Sequence, residues 1–87
     1  MQDATSWRDV LYTKTFEAEI RGLERRRAYD PSCSIEDLRA TLQHLYHMEG
    51  ADWGGRGELQ DIVLRATIAA YEQVIAEWEV ELKRKEE

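Results

Sequence analysis

The chain has 87 residues, enough for one small domain, and its single cysteine, Cys33, leaves no internal disulfide to reinforce a thin core. Its 18 acidic and 12 basic residues give a net charge of −6, which argues against binding nucleic-acid phosphates or an anionic membrane surface. No apolar run approaches the roughly 20 residues of a membrane span, Met1–Ser6 lacks the pattern of a secretion signal, and a lone thiol fits a reducing, cytoplasmic setting.

The first predicted helix runs from about Trp7 to Ala28. Ser6 is its N-cap, with a hydroxyl able to accept from an unpaired amide of the first turn. Asp9 adds a negative charge where the helix dipole favours one. Trp7, Val10, Leu11, Tyr12, Phe16, Ile20 and Leu23 supply apolar surface. Arg25, Arg26 and Arg27 close the segment, where cations suit the dipole. Tyr29-Asp30-Pro31-Ser32 then reads as a turn, because proline pushes the residue before it out of helical conformation.

The second helix is predicted from about Ile35 to Met48, with Ser34 as N-cap and Glu36 and Asp37 in the first turn. Cys33 and Leu38 have the spacing of a hydrophobic staple. Ile35, Leu38, Leu42, Leu45 and Tyr46 form one stripe, and Gly50 offers a left-handed termination. His44 and His47 lie off that stripe, three residues apart. They could reach one metal ion, but no third ligand stands at helical spacing, so solvated surface histidines are the simpler reading.

Asp52-Trp53-Gly54-Gly55-Arg56-Gly57 is the second break. A glycine-rich stretch before a helix can cradle an anion, yet Asp52, Glu58 and Asp61 surround this one with negative charge, so it reads as a connector. Trp53 either plugs the end of the bundle or anchors a partner together with Arg56, since aromatics and arginine are enriched at interface hot spots.

The third helix, about 58–85, contains no glycine or proline and would be roughly 45 Å long at ~1.5 Å per residue. Its early stripe is Leu59, Ile62, Val63, Ala66 and Ala70. Its later stripe is Leu64, Ile68, Tyr71, Ile75, Trp78 and Leu82, with Val74 between. The two are displaced by about a third of a turn, so the apolar face is wide. Glu79 and Glu81 stand one turn before Lys83 and Lys85, the favourable order for pairs within a helix.

Three helices and two short connections predict an all-α fold, an antiparallel three-helix bundle with a long C-terminal helix and a single domain over 1–87. The alternative is a helical hairpin stable only as a dimer. The strip Tyr71, Ile75, Trp78 and Leu82 reads as lying beyond the shorter second helix. Either it is offered to a partner, or the N-terminal half of the first helix covers it. Trp7 would then meet Trp78, within or between chains.

No nucleophile–base arrangement and no cofactor motif occurs, so neither an enzyme nor a bound cofactor is expected. The leading expectation is a protein-interaction or assembly module, self-association included, using Trp53, Arg56, Tyr71, Ile75, Trp78 and Leu82. The alternative is a small ligand- or metal-binding protein using His44 and His47 or the Gly54–Gly57 loop.

Overall fold

The computed structural model describes residues 6–51 and 57–86. They form three helices: α1 (Trp7–Tyr29), α2 (Ile35–Gly50) and α3 (Glu58–Glu86). The predicted boundaries hold to within two residues, because the end signals are local. Ser6 caps α1, its hydroxyl accepting from the Asp9 amide at 3.3 Å. Ser34 caps α2 and accepts from the Asp37 amide at 3.1 Å, while the Asp37 carboxylate accepts from the Ser34 amide at 3.3 Å. That reciprocal pair satisfies two amides that a helix start leaves without partners.

The turn between α1 and α2 is fixed by Asp30. Its backbone is extended, at φ −109° and ψ 103°, as a residue before proline must be. Its carboxylate accepts from the Ser32 amide at 3.0 Å and the Ser32 hydroxyl at 2.7 Å. Those two hydrogen bonds hold the Asp30 carboxyl below the usual carboxylate range. Gly50 departs from expectation. It is the last helical residue, no described glycine is left-handed, and the chain leaves through an extended Ala51 whose amide bonds back to the carbonyls of His47 and Met48.

Two reversals make α1 and α3 parallel, with α2 antiparallel to both. The cross-helix pairs record this. Arg8 meets Glu58 near the starts of α1 and α3, and Arg27 meets Glu81 at 2.7 Å near their ends. Arg39 of α2 meets Glu79 at 2.7 Å, and Tyr46 further along α2 donates to Glu72.

α3 is the shared element. It packs on both other helices, whereas α1 and α2 nowhere bring their Cα atoms within 8 Å of each other. At 100° per residue, Glu72 and Glu79 lie within 40° of Ile68, so that side of α3 faces α2. Ala66 and Ala70 are wholly buried yet stand about 160° round from Ile68. Only α1 is placed to cover them. The wide apolar face of α3 therefore serves two intramolecular neighbours on nearly opposite sides. The result is long and thin, 50 × 35 × 22 Å, with a radius of gyration of 15.4 Å against about 12 Å for a compact chain of this length.

The core side chains of α1 and α2 lie toward the end where α1 turns into α2, and those of α3 lie along its middle, from Leu64 to Ile75. Leu23 is the one buried side chain of α1. It joins Ile35, Leu38 and Leu42 of α2 and Leu64, Ile68, Tyr71, Val74 and Ile75 of α3. This corrects two expectations. Tyr71 and Ile75 are not an exposed strip, being 8% and 7% accessible, because α2 starts beside the C-terminal part of α3 and runs back over them. Trp7 does not meet Trp78 within the chain. Arg27 stacks on Trp78, and Trp7 lies 20 residues before it, about 30 Å up the same helix.

Candidate interaction surface

At the C-terminal end of α3 accessible apolar side chains remain, but they are spread around the helix. Trp78 is half-buried under Arg27, whose guanidinium carbon lies 4.2 Å from the ring centroid. An arginine plane over indole gains both cation–π attraction and packing. Leu82 stays exposed, as does Val80, but the two point to opposite sides of the helix. Single exposed apolar side chains are ordinary on a protein surface.

Arg27 is held in place by Glu81, through hydrogen bonds of 2.7 and 3.5 Å. Those bonds, and then the charge of the guanidinium, keep the Glu81 carboxyl below its usual range. A folded-state value lowered in this way adds stability above the ordinary glutamate value of 4.5 and loses it as pH falls. Both groups are solvated, so the effect is small. Glu81→Gln is expected to melt slightly below the unaltered chain at neutral pH. Thermal denaturation followed by circular dichroism should show that gap narrowing as pH falls below the ordinary glutamate value; a gap constant with pH would mean the pair carries no such contribution.

At the opposite end the core runs out before the helices do. Leu45 and Met48 of α2 and Leu59, Gln60, Val63, Leu64 and Thr67 of α3 line an open groove of about 340 Å³. Its lining is almost wholly carbon. Leu59 is 56% accessible, Met48 40% and Val63 37%. The first turn of α1 comes to the same end, where Arg8 pairs with Glu58. It carries Trp7, 51% accessible, beneath the Arg8 guanidinium at 4.8 Å, and Val10, 41% accessible. Leu59 and Val63 are one turn apart on α3, and Leu45 and Met48 one turn apart on α2. The α3 pair falls on the early apolar stripe, whose displacement from the later stripe was the sequence signal for it.

Trp53, Arg56 and the glycines at 54 and 55 lie outside the described residues. Gly57 precedes α3, and its carbonyl accepts from the Asp61 amide at 3.1 Å. His44 and His47 are both exposed on α2. Among the described residues no three His, Cys, Asp or Glu side chains are grouped to hold a metal ion, and no helix is long and apolar enough to cross a membrane. Tyr46 donates to the Glu72 carboxylate, and that bond, ahead of partial burial, raises its phenol above the usual value.

The class defined is thus an all-α three-helix bundle with one apolar, open end. Comparison with protein-family models, curated proteins and solved structures finds no match to this chain.

Proposed function

We propose that this chain is a small interaction or assembly module that works by contact and not by catalysis, and that its contact surface is the groove between the end of α2 and the start of α3. The observation that carries this reading is the lopsided core. Among the described residues eleven apolar side chains are buried, those of α1 and α2 toward the connected ends of these two helices and those of α3 between Leu64 and Ile75, and the accessible Leu59, Val63 and Met48 adjoin one another around a groove. Adjoining apolar side chains left in water mark interaction sites far better than scattered ones. The expected contact region thereby shifts from Trp78 and Leu82 to the other end of α3. A reducing, cytoplasmic setting suits the thiol of Cys33.

Replacing Leu59 with a photo-crosslinking phenylalanine analogue tests this in the native host, with Ala76, exposed on α3, as the control position. Protein adducts are expected from position 59 and not from 76. Equal labelling at both positions, or none at 59, would remove the reading.

A further inference from the structure

We propose that the groove receives a short cationic amphipathic helix from another protein, in preference to a second copy of this chain. This rests on the reading above and names its partner. The groove follows α3 from Leu59 to Thr67, eight residues of rise or about 12 Å, which matches two turns of a partner helix. Leu45, Leu59, Val63 and Leu64 form apolar walls and floor for side chains spaced i, i+3, i+4 and i+7, the arrangement by which helices dock into grooves.

Charge selects the class of helix. From Ala40 to Leu64 the chain carries Glu49, Asp52, Glu58 and Asp61 against the single basic Arg56. Glu72 stands one turn beyond Ile68. Arg8 and Arg65 pair with Glu58 and Asp61 and Tyr46 donates to Glu72, so the negative charge that favours a cationic partner is that of Glu49 and of the chain as a whole, −6. The end of α2 adds to it, because Met48 lines the groove and the final carbonyls of a helix carry the negative end of its dipole. The opposite dipole at the start of α3 is already met by Glu58 and Asp61. A second copy would bring another net charge of −6 toward this surface, and like-charge juxtaposition disfavours a partner. Lysines or arginines flanking an apolar stripe would be drawn in.

The probe is a fluorescein-labelled peptide of about 14 residues, with leucines at i, i+3, i+4 and i+7 and lysines elsewhere. Its control has every lysine replaced by glutamate. Both are titrated with the full chain by fluorescence anisotropy. The lysine peptide is expected to bind at least about tenfold more tightly. It should lose about fivefold in affinity between ~50 and ~500 mM salt, and lose binding to Val63→Ser. Val63 is exposed, so that variant should keep its helical circular dichroism, and Leu59→Ser serves as the second variant. Equal binding of the two peptides, or binding indifferent to both substitutions, overturns the proposal. Dimerisation abolished by Val63→Ser, with neither peptide bound, also overturns it while the contact-surface reading survives. No binding, no dimer and no adduct at position 59 would end both.

Discussion

Leu38→Ala is expected to lower the free energy of unfolding by about 3 kcal/mol, the middle of the range for a buried leucine cut back to alanine. Leu38 is fully shielded from water and sits among side chains from all three helices. Removing its branched end forfeits the apolar burial and leaves a space that its neighbours can fill only in part. The Cα atoms of α1 and α2 stay more than 8 Å apart, so the two backbones have little shared contact through which to close over the gap. Leu38 also belongs to the cluster against which Cys33, just before the α2 cap, packs. A domain of this length holds on the order of 4–13 kcal/mol in total. Such a loss should lower the melting temperature by roughly 12–24 °C. Leu59→Ala, at a position 56% accessible, should stay within about 0.5 kcal/mol. Urea denaturation followed by circular dichroism checks both. Similar losses at the two positions would mean that Leu38 does not belong to a packed core from which Leu59 is left out.

That lopsidedness was only half legible in the sequence. Helix ends were, because Ser6, Ser34 and Pro31 act within one turn. The carboxylate of Asp37 reaching back to the Ser34 amide was not, since glutamate or glutamine is the usual partner there; Asp37 counted only as a charge. Gly50 permits a left-handed ending without compelling one, and the Ala51 amide satisfied the last carbonyls by a simpler route. On α3 the two displaced stripes were visible, along with the need for two covering surfaces. Which helix covers which stripe depends on direction. Two reversals set α1 parallel to α3, which carries Trp7 away from Trp78 and brings Arg27 to it. The stacking of Arg27 on Trp78 joins residues 51 apart in sequence, and no local spacing encodes it. Of the strip Tyr71, Ile75, Trp78 and Leu82, the first two are therefore covered within the chain and Leu82 stays exposed. Leu59 and Val63 stand on the early stripe, and periodicity alone does not say which surface meets them.

Ala70→Leu is expected to cost up to about 3 kcal/mol, although it adds apolar atoms at a buried position and leaves helix propensity nearly unchanged. The sign follows from the α1–α3 seam. Ala66 and Ala70 are both inaccessible to solvent, one turn apart, on the side of α3 away from α2. Side chains this small allow two helix axes toward the near end of the usual 8–10 Å separation. A leucine at that seam meets α1 directly. It must adopt a poor rotamer or push α1 outward, and an outward shift would pull Arg27 from Trp78 and Glu81 and Arg8 from Glu58. Ala76→Leu on the exposed side of the same helix makes the same chemical change without a neighbour to displace, and should alter stability by no more than about 0.5 kcal/mol. The pair separates packing from propensity. A second readout follows from geometry. If α1 is levered away, the pH-dependent melting gap between the parent and its Glu81→Gln derivative should shrink in the Ala70→Leu background, because Glu81 would no longer face Arg27. A neutral or stabilising Ala70→Leu, with that gap intact, would show that α1 and α3 leave room between them and that the seam is not what holds the two parallel helices together.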